Sequence, residues 1–249
     1  MTLTPKAKAR VSGVFEVLEA SFSLAGQMLL TGAVLVSKDA AATASNIIGS
    51  ETFYRAAVAT GLLAVIWHLV WGFLLYDIFK VVDRAVARFS LLLLAVGAVL
   101  QAVTGLLLFG PLIALKADGL TAFTQEQREA LALFFLRFNG VSSDIFLAFF
   151  GAWLVAIGYL AYRSGFMPRF IGVALAIEGL GWMTYLSPPL GVALFPVIAI
   201  FGIPGELAFA VWMLWKGVDN EKWRALRDVH RGATVRYPGG APETETARE

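Results

Sequence analysis

Six mainly apolar stretches of about 17–25 residues divide this 249-residue chain, at about 14–36, 56–79, 89–113, 141–162, 170–186 and 192–215. Each is long enough, as a helix, to cross a hydrocarbon layer ~30 Å thick. Within such a layer a helix satisfies all its own backbone hydrogen bonds. The pattern predicts an all-α fold, an integral membrane six-helix bundle spanning residues 1–217. Composition agrees: 58% of residues are hydrophobic, only 15% are charged, and mean hydropathy is +0.73. Soluble domains carry about 25% charged residues, and one soluble core of this size cannot hide so much apolar surface.

Lysine and arginine set the expected orientation. With the N-terminus inside, the inner segments hold 15 of them and the outer segments five. The positive-inside rule then puts both termini in the cytoplasm, and the expected location is a cell inner (plasma) membrane. The basic residues are spread through the loops and form no single patch, so no nucleic-acid partner is expected. The first apolar run is full length and contains Glu16 and Glu19, so it reads as a span and not as a cleavable signal peptide.

Several polar residues fall inside the apolar stretches, where they are costly and point to function by default. Glu206 lies in the run Phe201-Gly202-Ile203-Pro204-Gly205-Glu206-Leu207, in the middle of the sixth stretch. A carboxyl removed from water favours its neutral, protonated form, so Glu206 is a candidate proton carrier. Pro204 removes a backbone donor one turn from it, and Gly202, Pro204 and Gly205 together read as a hinge. Glu178 is central in the fifth stretch, His68 in the second, and Gln101 near the middle of the third. His68, Glu178, Glu206 and Gln101 are the expected proton or ligand pathway. Their bland alternatives are a satisfied core histidine and hydrogen bonds between helices.

Other polar residues read as structural. Glu16, Glu19, Ser23, Gly26 and Gln27 form one helical stripe; Glu16 and Glu19 are expected close to the cytoplasmic interface, either neutralised by Arg84 or Arg88 or solvated. Arg137 and Asp144 could pair if one helix runs through both. Residues 37–54 read as a polar loop. Residues 114–138 read as the longest loop between spans, ending in a surface helix opened by a Thr124–Gln127 capping box. Ser187-Pro188-Pro189 ends the fifth stretch. Residues 218–249 read as a cytoplasmic amphipathic helix followed by a disordered tail.

Several chemistries lack their residues. The chain has no cysteine, which excludes disulfides and thiolate metal sites. It has two histidines, His68 and His230, and only His68 lies in an apolar stretch. A bis-histidine haem and a His-rich metal cluster therefore cannot be assembled there. No apolar stretch contains the lysine that a retinal Schiff base needs, and no phosphate-cradling glycine loop or Gly-x-Ser-x-Gly elbow is present. Neither catalytic residues, nor metal ligands, nor a cofactor are expected.

Two runs resemble a known family. They are Arg163-Ser164-Gly165-Phe166-Met167-Pro168-Arg169-Phe170-Ile171-Gly172 and Pro204-Gly205-Glu206-Leu207, the latter followed by Leu214-Trp215-Lys216-Gly217. Both are similar to motifs of the bacterial multi-pass membrane family catalogued as domain of unknown function 4386, over about residues 10–217. The resemblance implies a six-span helical protein and no known activity. Glu178 stands where the fifth span of that family is usually apolar.

The reading that results is a proton-linked transporter or channel for a small solute or ion, with the lipid bilayer and that solute as partners. The alternative is a non-catalytic accessory or sensor subunit that binds a membrane protein partner. A lipid- or quinone-modifying enzyme ranks last, since no nucleophile or metal cluster can be assembled.

Overall fold

A computed structural model describes residues 3–36, 39–116 and 122–230. Among the described residues the regular structure is all helical. α1 (Pro5–Ala33) starts with Thr4, whose hydroxyl accepts the amide N–H of Ala7 at 3.2 Å. Proline suits the first helical position because its missing N–H would have no partner there. α1 therefore starts nine residues before the apolar stretch does. Its buried face carries Ala9, Ser12, Glu16 and Glu19.

The segment 37–54 is not simply a loop. It holds α2 (Ala40–Gly49), capped by Asp39 through the N–H of Ala42 at 2.8 Å, and the first turn of α3 (Glu51–Phe79). Alanine is the strongest helix former, so this Ala-rich segment is helical although too short to span. α4 (Arg84–Leu107) and α5 (Gly110–Lys116) follow. α6 (Gln125–Ser164) then runs unbroken for 40 residues, roughly 60 Å. The expected surface helix and fourth span are thus one element. Its capping box forms as read: Thr124 Oγ1 accepts from Gln127 N at 3.3 Å and Gln127 Oε1 accepts from Thr124 N at 2.9 Å. Gly165, at φ 68°, ends it in the left-handed conformation that glycine adopts without cost.

α7 (Arg169–Met183) has 15 residues, about 22 Å of helix. A short 3-10 turn, Thr184–Leu186, extends it, and Pro188 then opens α8 (Pro188–Val197). A π-helical segment, Ile198–Gly202, joins α8 to α9 (Ile203–Trp215). α10 (Asn220–His230) closes the described chain. The expected disordered tail lies outside the described residues.

Four helical units are long and apolar enough to cross a membrane: Glu51–Phe79, Arg84–Lys116, Gln125–Ser164 and Pro188–Trp215. Large apolar side chains such as Leu24, Phe73, Val99, Leu180, Ile200 and Leu207 cover the outer surface. Soluble monomers rarely expose apolar patches above a few hundred Å². Length, composition and surface together are those of a membrane protein.

The long helices pack in a closed cycle. α1 lies on α3 and α9, α3 on α4, α4 on α6, α6 on α7, and α7 on the π segment and α9. The α6–α7 contact is backbone to backbone. Gly151 and Gly158 face Gly179 and Gly172, so that a Cβ on Gly179 would fall 2.4 Å from the Gly151 carbonyl oxygen, and one on Gly172 2.5 Å from that of Gly158. Such small-residue seams are how helices approach closely where lipid offers no hydrophobic drive. One core cluster gathers Trp71, Trp153, Leu154, Phe209 and Met213. A second, at the opposite end, holds Ile47, Tyr54, Val58, Leu108 and Leu112. There Tyr54 Oη donates to the Leu108 carbonyl at 2.6 Å.

Candidate functional site: a carboxyl centre

Three helices that lie side by side bring three glutamates to one level of the bundle, with a fourth one turn further on. α1 and α7 begin, and α9 ends, at the same end of the molecule. Measured from that end, Glu16 stands about 17 Å along α1, Glu178 about 14 Å along α7 and Glu206 about 14 Å along α9. Glu19 lies one turn further along α1 on the face of Glu16, and both acids are buried in the helix packing.

Glu178 is completely buried, Glu16 is 2% exposed, Glu19 is buried and Glu206 is half-buried. The carboxyls of Glu178 and Glu206 interact directly, and Glu16 lies within electrostatic reach of Glu206, Glu19 and Glu178. The Glu178–Glu206 contact is looser than a well-formed hydrogen bond, since Glu178 Oε2 has no hydrogen-bond partner. Trp182 Nε1 donates to Glu178 Oε1 at 3.2 Å, and Ser23 Oγ to Glu19 Oε1 at 2.9 Å. Both carboxyl oxygens of Glu16, and the hydroxyl of Ser12 one turn before it, are buried without a partner.

Among the described residues no cation pairs with any of the four. The ion pairs among the described residues are Lys8–Asp77, Lys80–Asp77, Arg55–Glu51, Lys116–Glu51 and Arg227–Asp228. Arg84 and Arg88, expected to neutralise Glu16 and Glu19, are not among their partners. Glu178 and Glu206 are the pair in direct contact, and two neighbouring carboxylates repel unless one is neutralised.

Gly202, Pro204 and Gly205, expected from the sequence to form a hinge, lie where α9 approaches this centre. A Cβ on Gly202 would meet the Glu178 Cβ at 2.7 Å, and one on Gly205 the Ala174 Cβ at 2.4 Å. Glycine at both positions lets the π segment and α9 lie against α7 at the Glu178 level. Pro204 has no N–H to give, and just before it Ile203 N bonds back to Ile198 O, five residues away. π-helical turns of this kind occur often at functional sites.

His68 is 1% exposed and sits apart from Glu178. The rings of Trp71, Phe146, Phe150 and Trp153 surround it, with centroids 5.3–6.2 Å away. Its Nδ1 lies 3.4 Å from Gln101 Oε1, a contact that suits an Nδ1–H donor, while Nε2 is unpartnered. The carboxylate within electrostatic reach of His68 is Glu19. The expected pathway thus splits: Glu178 and Glu206 meet, His68 and Gln101 meet, and Glu19 is the acid between the two pairs.

Arg137 and Asp144 form no ion pair. One continuous helix separates them by about 10 Å along its axis, Arg137 is exposed, and Asp144 lies nearer Tyr185. Among the described residues no three His, Asp or Glu side chains form a metal-ligand group. Trp182 and Ser12 were not singled out from the sequence. Trp182 stands one turn after Glu178 and Ser12 one turn before Glu16, a helical spacing that marks both as candidates once the acids are placed.

The family model described as Domain of unknown function (DUF4386) matches residues 11–217. The chain belongs to the DUF4386 family. The matched region contains the four glutamates, His68, Gln101 and the glycine seam, while α10 lies outside it. An uncharacterized protein of Archaeoglobus fulgidus is 35% identical to this chain over 75 residues, 30% of this chain and 45% of that protein. The match thus spans less than half of that relative's length. No solved structure matches the DUF4386 chain.

Proposed function

We propose that this protein crosses a bacterial-type inner membrane six times, with both termini cytoplasmic, and moves protons, or a small solute or cation coupled to them, through the carboxyl centre. α1 and α7 join the four span-capable units as the fifth and sixth crossings. Both close the helical cycle, and α7 is covered by α6 and α9. The orientation rests on the lysine and arginine bias. The single observation that carries the functional reading is the direct meeting of Glu178 and Glu206, with Glu16 within electrostatic reach and no cation of the described residues paired with them. Adjacent carboxyls pass a proton over short distances, and intramembrane acids in chains are the parts of which proton relays are made.

The test is proton flux into liposomes holding the full chain, under an imposed potential, with an internal pH dye. The wild-type protein is expected to carry flux and Glu206→Gln to fall to the level of empty liposomes, with retained helix content and a single size-exclusion peak. Glutamine keeps the shape of glutamate and cannot give up a proton. If the folded wild-type protein carries no flux, either alone or with candidate solutes, the reading fails. The accessory role, with a membrane protein partner captured by crosslinking in native membranes, then takes its place.

A further inference from the structure

At the end of the molecule where α1 begins and α3 stops, α10 folds back on the helices and encloses a groove of about 820 Å³. That volume falls within the ~300–1,000 Å³ of ordinary small-molecule sites. Two apolar residues of α10, Trp223 and Leu226, are turned onto the protein. Trp223 Nε1 donates to the Ile78 carbonyl at 2.8 Å, and Trp223 and Leu226 pack against the main core. The groove is therefore walled by fixed structure.

Its charge is one-sided. Lys8, Lys80, Arg84, Arg224 and Arg227 line it, against the single acid Asp77. Asp77 accepts from both Lys8 and Lys80, and Arg227 pairs with Asp228 at 2.9 Å. Arg84 and Arg224 have no carboxylate partner and are exposed, one on the first residue of α4 and one on α10. Two free guanidinium groups from separate elements, facing one cavity, offer planar donor forks that match phosphate oxygens. A general excess of basic residues on this side does not require such an arrangement. Arg163 and Arg169 lie at the same end, outside the groove, and each stands over a tyrosine ring.

We propose that this groove binds a phosphate-bearing anion, held by Arg84 and Arg224 with Lys8 and Lys80 behind them. The shared chemistry is a phosphate ester. It can come from the headgroup of an anionic phospholipid, since the groove opens where apolar helices end, or from a soluble phosphate compound in the adjoining water.

The experiment uses the full chain in detergent, with native mass spectrometry to read bound lipid. The probes are phosphatidylglycerol, phosphatidylcholine and inorganic pyrophosphate. The wild-type protein is expected to retain phosphatidylglycerol over phosphatidylcholine. Arg84→Gln/Arg224→Gln is expected to weaken that retention roughly thirtyfold, as loss of two cations near an anionic surface implies. Arg163→Gln/Arg169→Gln is expected to keep wild-type binding. Displacement of the lipid by pyrophosphate assigns the site to a soluble phosphate, and lipid retention unaffected by pyrophosphate assigns it to the headgroup. Equal weakening in both double variants, or no preference for either anionic probe in the wild type, overturns the proposal. Should the first double variant not fold, Arg224→Gln alone, exposed on α10, carries the same comparison.

Discussion

A Gly172→Leu chain is expected to lose its packed form. Gly172 and Gly158 bring the backbones of α7 and α6 together, and any Cβ at 172 would fall 2.5 Å from the Gly158 carbonyl oxygen and 2.6 Å from the Tyr162 amide nitrogen. Overpacking a core that can adjust by rotamer changes costs ~1–3 kcal/mol. Here the obstructing atoms are backbone, so the two helices must separate, and the cost should exceed that range. Separation at this seam also moves Glu178, two turns further along α7. The measurement is size-exclusion of a fluorescent fusion in mild detergent, where the variant should give aggregated or degraded material. Gly140→Ala is the comparison: a Cβ there meets nothing within 4 Å. It should match or exceed wild-type stability, since alanine is favoured over glycine inside a helix by ~1 kcal/mol.

Trp153→Ala is expected to cost ~3–5 kcal/mol, the range for deleting a fully buried large aromatic. Trp153 is 1% exposed, its ring meets Trp71 edge-on at 4.8 Å, and it lies 5.3 Å from the His68 ring. Removing it opens a cavity where α3 and α6 share the core and takes away one wall of the histidine cage. Loss of helix signal on titration with denaturing detergent should show the transition at a lower detergent fraction. Trp215→Ala, at 69% exposure, should leave the transition close to that of the wild type.

Hydropathy made the helical class and most helix positions legible, because an apolar run of span length has few other ways to satisfy its backbone. It was weaker at the ends. α6 runs from Gln125 because Thr124 and Gln127 cap it, and hydropathy registers only the apolar part. α7 stops at 15 residues because a 3-10 turn and Pro188 follow. Thr4 and Pro5 form a readable N-terminal signal for α1, but the burial of Glu16 and Glu19 depends on α9 packing against α1, which no local signal encodes. Glu178 and Glu206 were legible as acids in apolar runs, but not their meeting, which depends on Gly202 and Gly205 seating α9 on α7. His68 went with Gln101 and Glu19 because α3 packs between α1 and α4, an order of neighbours that sequence spacing does not encode. The seven-residue glycine spacing on α6 and α7 was visible in the chain, yet nothing local says that those two stripes face each other.

The proposed function requires Glu16, Glu19, Glu178 and Glu206 to share protons as one centre. The most direct measurement is infrared difference spectroscopy of the protein in liposomes after a pH step, following the carboxyl stretching bands in the wild type and in Glu16→Gln, Glu178→Gln and Glu206→Gln. A shared centre predicts that each substitution reshapes the bands of the remaining acids, because removing one member redistributes the protons among the others. If each substitution deletes one independent band and leaves the rest unchanged, the carboxyls do not act together, and the account is contradicted.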